Sequence, residues 1–347
     1  MASRNNSCTP IPRGGPLRHV RRALRGLLLV GLGTLGASVI AQGQVLSGPV
    51  SLVVPYPAGG PSDLTARTLT APVAKELGAD VIVENVSGAS GAIAVQKVLN
   101  APADGRLVYQ GSQSELIIPP LTMRSIKYKP TDMEIVHPTT ITPMLLVVRK
   151  GLPVTNLQEF VDVAKQRSAT EPLSYGSSGV GSLYHLVPEG MAKLAGARFN
   201  HIPYKGALPM VQDLAGDRLD FAVMALTGTV LQALQVGQYR AIANMSKYKP
   251  RDLAHLPSIS DAEVFKTIDF STNSAYFVRK GTPVAIKMQL NKAIGNALST
   301  PPVVQTLEGD GRRLQKGLSL AESEAFYASE IAKYEKIIAQ IGFQALD

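Results

Sequence analysis

The sequence predicts an α/β fold of two similar units joined by paired crossing strands. Three observations point to it. Apolar strand-like runs alternate with helix-like runs from residue 49 onward, a rhythm that implies parallel strands with helices on both faces. The rhythm starts afresh near residue 144, and a further strand, "SAYFVRK", returns near residues 274–279 after a self-contained α/β stretch. No flexible linker marks a border between the units, which suits lobes joined by crossing strands better than beads on a string.

In chain order, "PVSLVVPYP" reads as a buried strand and residues 61–77 as a helix. Gly60 suits the N-cap and Pro61 the first helical position, with Asp63 in the electropositive first turn. Pro72 removes one helical hydrogen bond and should kink or shorten that helix. "DVIVEN" is a strand, "SGASGAIAVQKVLN" a turn and helix, and "GRLVYQG" another strand. In the second unit "MLLVVRK" is a strand and "NLQEFVDVAKQR" a helix capped by Asn156. "LSYGSSGVGSLYHLVPEGMAKLAG" gives a strand, a Gly/Ser turn and a helix. "FNHIPYKG" and "LDFAVMAL" are strands separated by "ALPMVQDLAGDR". "TPVAIKMQLNKAIGNAL" is a helix with Thr282 as N-cap and Pro283 in its first position. The last helix opens on "SLAE", where Ser319 and Glu322 form a capping box, and Leu320, Phe326, Ile331, Tyr334 and Ile338 are its expected core face. The predicted units are residues 44–146 with 272–347, and residues 147–271, with crossing strands near 144–149 and 269–278.

The first forty residues differ from the rest. Arg18, Arg21, Arg22 and Arg25 precede "GLLLVGLGTLGASVI", an apolar stretch of about 15 residues that ends in small residues. This is the layout of a secretory signal peptide (1–41) cleaved after Ala41, and the stretch is shorter than the roughly 18–20 residues of a membrane span. "VRRALR" leaves twin-arginine export open beside the general route. Residues 1–41 hold six Arg and no acid, so cleavage lowers the net charge from +9 to +3 and removes the main support for nucleic-acid binding. The single cysteine, Cys8, lies upstream of the apolar stretch, which excludes a disulfide framework and a thiolate metal site.

Three small-residue turns follow predicted strands, where open α/β sheets bind ligands. "PYPAGGPSD" (55–63) offers backbone N–H groups at a helix N-terminus, a setting that favours an anion. "YGSSGVGS" (175–182) repeats the logic with the hydroxyls of Ser177, Ser178 and Ser182. It is neither a Walker loop nor a GxSxG elbow, because Val180 stands where the elbow needs glycine and no Gly-Lys-Ser/Thr follows. "GSQSE" (111–115) is the third turn. His137, His185, His201 and His255 form no metal-ligand spacing, so neither metal nor cofactor is expected. An ordinary Gly-Pro loop remains the plain structural alternative for the first turn, and a half-buried histidine for His185.

"VPYPAGGPSDLTARTL", "VIVENVSGASGAIAVQKV", "APADGRLVYQGS", "YGSSGVGSLYHL" and "HIPYKGALPMVQDLAGDRLDFAV" together resemble the Bug-type (TctC-like) solute-binding receptors of tripartite tricarboxylate transporters. "KGTPVAIKMQLNKAI" and the final helix extend the resemblance over the whole mature chain. The resemblance implies a type II, Venus-flytrap periplasmic binding protein with a ligand cleft between its lobes. It implies a monomer in the periplasm that takes up a small carboxylate (a di- or tricarboxylate, an aromatic acid or an amino acid) and hands it to membrane permease subunits. It places Tyr56, Pro57, Gly59, Gly60, Ser62, Asp63, Ser112, Gln113 and Ser114 at the ligand from one lobe. From the other it places Ser177, Ser178, Gly179, Gly181 and Ser182, with His185 beside them. "GSQSELIIPP" departs from the usual pattern of such receptors, so Gln113 and Glu115 bear on which distal group is accepted. Aromatic residues usual in the hinge strand are partly replaced in "NSAYFVRKG". Two other classes stay open at this point: a periplasmic serine hydrolase using Ser178 or Ser182 with His185, and a ligand-sensing subunit for a membrane kinase. Asp63 is expected to stabilise the first turn of its helix and to bear on ligand choice.

Overall fold

The computed structural model describes residues 46–345 apart from 47, 205, 247, 248, 250 and 310. The expected export signal, its cleavage site and Cys8 lie outside the described residues. Strand β1 (Val50–Val54) leads through the first Gly/Pro turn into α1 (Pro61–Leu77), followed by β2 (Val81–Asn85), α2 (Ala92–Asn100) and β3 (Leu107–Ser112). These strands are parallel, in the order β2-β1-β3, with Leu52 opposite both Val83 and Val108. Helix α3 (Gln113–Thr122) follows β3 directly, and β4 (Met133–Arg149) comes next.

The second set comprises α4 (Leu157–Arg167), β5 (Leu173–Ser177), α5 (Leu183–Ala195), β6 (Phe199–Pro203), α6 (Ala207–Ala215), β7 (Phe221–Ala225), α7 (Gly228–Gln235) and β8 (Tyr239–Asn244). Strands β7, β5 and β6 are parallel neighbours. The chain then returns through β9 (Ser271–Arg279), α8 (Val284–Ala297), α9 (Pro301–Gly309), β10 (Arg313–Leu314) and α10 (Leu320–Ile341). Strand β9 lies antiparallel between β3 and β4, so the two lobes share one long sheet path, β2-β1-β3-β9-β4-β7-β5-β6.

Strand β4 makes the crossing. It pairs with β9 from Met133 to Pro143, then with β7 and β8 from Met144 onward. The sequence predicts this strand only from residue 144, and the structure starts it at Met133, with Pro138 and Pro143 inside it. In the structure Pro138 sits beside a register shift, and Pro143, opposite Ser271, stands at the hand-over from β9 to β7 and β8. Its carbonyl accepts from Leu226 N at 2.8 Å.

Packing explains the other departures. Helix α1 runs its full length through Pro72 without ending, held by Leu69 and Val73 buried on its inner face. Pro283, not Thr282, caps α8, and the Thr282 hydroxyl instead donates to the Arg279 carbonyl at 2.7 Å. The Asn156 cap and the Ser319–Glu322 box form as expected. On α10 the fully covered face is Ser323, Tyr327, Glu330 and Tyr334, while Leu320, Phe326, Ile331 and Ile338 are half-buried. That helix lies against β4, α3 and α5 and so takes part in both sets.

One core under α1, α8 and α9 joins Leu52, Leu69 and Val108 to Tyr276, Leu290 and Leu307. A second, under α6 and α7, gathers Leu145, Met210, Leu214, Met224 and Tyr239. Among the described residues no helix is long and apolar enough to cross a membrane.

Candidate ligand-binding cleft

The first turn is built around Asp63. Glycine at position 59 supplies φ +84°, which side-chain-bearing residues rarely adopt, and the chain then enters α1 at the N-cap Gly60. The Asp63 carboxylate accepts from Gly59 N at 2.9 Å, from Arg67 Nε at 2.9 Å and from Asn85 Nδ2 at 3.0 Å. Asn85 also donates to the Tyr56 carbonyl at 2.9 Å, so the end of β2 and the turn are tied together. Burial pushes the Asp63 carboxyl up, but the bonds from Arg67, Gly59 and Asn85 outweigh it and hold it below the usual range. Asp63 thus shapes the turn. Tyr56, Gly60 and Ser62 are half-buried around it, and Pro57 and Gly59 are exposed. The first turn of α1 leaves its N–H groups at Ser62 and Asp63 without helical acceptors.

The backbone demand falls on Gly59 rather than Gly60. Gly60 has φ −83°, and a Cβ there would meet only the Pro57 carbonyl oxygen, at 3.7 Å. Gly60→Ala should therefore leave stability unchanged, whereas Gly59→Ala should cost about 1–2 kcal/mol through the left-handed conformation alone. Urea denaturation of the two variants checks this.

The third predicted turn is no loop at all, since β3 passes directly into α3. Ser112 caps the helix, with its Oγ accepting from Ser114 N at 3.2 Å, and Glu115 closes a capping box by accepting from Ser112 N at 2.9 Å. The Ser112 and Ser114 hydroxyls are 2.7 Å apart. Gln113 is fully buried, and neither its amide oxygen nor its nitrogen has a partner among the described residues. The Tyr56 hydroxyl donates to Glu115 Oε1, and the Tyr109 hydroxyl donates to Oε2 at 3.0 Å.

In the second lobe β5 ends at Ser177 and α5 begins after its N-cap, Ser182. Ser177 is wholly buried, its Oγ 2.7 Å from His201 Nε2. The Ser182 hydroxyl donates to the Gly179 carbonyl at 2.7 Å, and His185 Nδ1 accepts from Gly181 N at 3.0 Å. Two of the three predicted hydroxyls therefore hold the turn's own shape. Ser178, half-buried, keeps a hydroxyl that bonds to none of the described residues.

This turn abuts the other lobe. A Cβ on Gly179 (φ +150°) would lie 3.2 Å from Ser90 Oγ, and one on Gly181 (φ +72°) would lie 2.9 Å from Thr122 Oγ1. Of the three predicted turns, the structure ties that of β1–α1 to the start of α3 through Tyr56 and Glu115, and sets that of β5–α5 against the far end of α3. It adds a fourth, residues 88–91, which the predicted site omits. Ala89 and Ser90 there have φ 46° and 51° between Gly88 and Gly91, a strained run of the kind found at ligand contacts. The glycine spacing in "SGASGA" was the available signal.

The sequence model of the tripartite tricarboxylate transporter family receptor, TctC, matches residues 65–343. The chain belongs to the TctC receptor family. This TctC receptor is 30% identical over 308 residues to a UPF0065 protein of the TAR-I ttuE-ttuC' intergenic region in Agrobacterium vitis, covering 87% of each chain. It is similar to the R. palustris Rpa4515 structure with adipate, at a TM-score of 0.77 and 30% identity, covering 86% of this chain and 99% of that one. It is also similar to MatC from Rhodopseudomonas palustris with bound malate, at a TM-score of 0.75 and 25% identity, covering 84% and 99%.

The serine–histidine pair weighed from the sequence does not form in this TctC receptor. His185 stacks on His201, ring centroids 4.0 Å apart, with Phe343 against its edge; its Nδ1 accepts from Gly181 N, and the Ser182 hydroxyl goes to the Gly179 carbonyl instead. The serine that meets a histidine is the buried Ser177. Burial lowers both histidines to about 4, and for His201 the neighbouring His185 adds to the effect while Glu189 opposes it. Their folded pKa values lie below the unfolded value near 6.5, so the stacked pair's contribution is fully present above about pH 6.5. It should be lost as pH falls towards about 4, where the unfolded chain binds protons that the stack refuses. Melting temperatures measured stepwise over this range should fall, and more shallowly for His201→Gln. Among the described residues no cluster of three or more His, Cys, Asp or Glu could hold a metal ion.

Proposed function

We propose that this receptor closes its two lobes around a small carboxylate in the periplasm and delivers it, chemically unchanged, to the permease subunits of a tripartite tricarboxylate transporter. The lobes are residues 44–146 with 272–347, and residues 147–271, and the protein acts as a monomer exported by its N-terminal signal. What supports the reading is the pair of Gly-rich strand-to-helix turns at 55–63 and 177–182, each at a helix N-terminus whose free N–H donors suit an anion. Tyr56, Pro57, Gly59, Gly60 and Ser62 line the cleft from one side, with Ser112, Gln113 and Ser114. Ser178, Gly179, Gly181 and Ser182 face them. Asp63, Ser177 and His185 hold the turns in shape. The adipate and malate in the similar structures support a carboxylate as cargo.

Native mass spectrometry of the protein purified from its host, followed by calorimetry with a panel of carboxylates, tests this. Stoichiometric, reversible binding of an intact acid is the expected result. Failure of every acid to bind, or a burst of product from an activated ester, would overturn it.

A further inference from the structure

We propose that Glu115 sets the ligand class of this receptor. The cleft takes an acid with one free carboxylate and a hydrogen-bond donor at its far end, and admits a dicarboxylate only together with a proton. The inference rests on the carboxylate-receptor reading above.

Glu115 stands at the start of α3, tied to the first turn through the Tyr56 hydroxyl. It is the third residue of α3 and 9% exposed, and its Cβ is 3.2 Å from where a side chain on Gly91 would begin. That same point on Gly91 is 3.5 Å from Pro55 Cβ, so the acid lies between the first turn and the strained turn at 88–91. From across the cleft, Tyr184 on α5 acts electrostatically on both Tyr56 and Glu115.

Among the described residues, the side chains that interact with this carboxylate are tyrosines. Tyr56 comes from the turn after β1, Tyr109 from β3, Tyr128 from the segment before β4, Tyr184 from α5 and Tyr334 from α10. The Tyr128 hydroxyl donates to the Glu115 carbonyl at 3.2 Å. No cation among the described residues acts on Glu115. Burial pushes its carboxyl up to about 7, against the lowering effect of the bonds from Tyr56, Ser112 and Tyr109.

A buried acid without a counter-cation dictates what can lie beside it. A hydroxyl, amide or ammonium on the ligand can donate to the lone pairs of Oε1 that the Tyr56 hydroxyl leaves over. A second carboxylate cannot, because two carboxylates sharing one dry site do not both ionise. When a dianion enters, Glu115 must take one proton from solvent, and its new O–H then donates to the ligand's carboxylate.

Calorimetry on the mature receptor tests the proposal with length-matched sets in the C4 and C6 series: ω-hydroxy acid, ω-amino acid and dicarboxylate. Titrations at about pH 6 and about pH 8, in buffers of different ionisation heat, count the protons taken up. The hydroxy or amino acid should bind at least about tenfold tighter than the dicarboxylate at about pH 8. The dicarboxylate should take up about one proton and weaken about tenfold per pH unit above about 7. Glu115→Gln should abolish that uptake and tighten dicarboxylate binding at about pH 8 by at least about tenfold. Dicarboxylate binding of equal strength at both pH values with no proton uptake by the wild type would overturn the proposal, and this count needs no variant. Binding of no acid at all would instead defeat the receptor reading, and this inference with it.

Discussion

Replacing Asp63 by alanine should lower folding stability by about 2–4 kcal/mol, the largest single-residue effect expected in the first turn. The change strips acceptors from the Gly59 N–H and the Asn85 amide in a setting where Asp63 is 3% exposed. The ion pair with Arg67 adds little, because the Arg67 side chain is 55% exposed and screened by water. Asp63→Asn should cost only about 1 kcal/mol, since an amide oxygen can still accept from Gly59. Because the folded carboxyl is held below its ordinary range, its contribution is present at neutral pH and is lost as pH falls below the unfolded value near 3.8. Denaturant titrations of both variants read the effect. A loss under about 0.5 kcal/mol for Asp63→Ala would mean that the turn keeps its shape without the carboxylate.

Gly181→Val should lower ligand affinity at least about thirtyfold, more than any substitution of an exposed residue around the cleft. A β-branched residue is strained at φ +72°, and its Cβ would fall 2.9 Å from Thr122 Oγ1 and 3.1 Å from the Met123 methyl. Those neighbours lie at the end of α3, on the facing side of the cleft. The clash therefore opposes the approach of the 177–182 turn more than it opposes folding of its own lobe. Calorimetry for affinity and a melting curve for stability separate the two. An unchanged affinity in a folded variant would show that the turn need not come so close for the ligand to be held.

The order of strands and helices was legible because apolar runs are bounded by Gly and Pro, and because caps such as Asn156 and Ser319 depend only on near neighbours. The first half of β4 was not, since it contains Pro138 and Pro143 and its partner β9 comes from far along the chain. In the cleft, glycine spacing located the turns at 55–63 and 177–182. Which polar side chains are bound within the fold was settled by distant partners: Ser177 by His201 on β6, and Glu115 by Tyr56 and Tyr109 on different elements. The left-handed Ala89 and Ser90 were hidden because side-chain-bearing residues seldom adopt that conformation. Thr282 shows the smaller error, one residue at a helix start, where the hydroxyl found a carbonyl behind it.

The interleaving of the chain also orders its assembly in time. The core that gathers Leu145, Met210, Met224 and Tyr239 is made from one continuous stretch, residues 145–256. The core under α1 instead needs Leu52 and Leu69 to wait for Leu290 and Leu307. A chain entering its compartment N-terminus first therefore delivers the β1–β3 residues long before the partners that cover them. Closing so long a loop costs only slightly more entropy than a shorter one, but it cannot begin until the last strand arrives. In pulse-labelling hydrogen exchange during refolding, amides of β5 and β7 should gain protection before those of β1. The first strands to emerge are thus the last to be secured, and the exposed apolar run at 50–54 is where a chaperone has most to do.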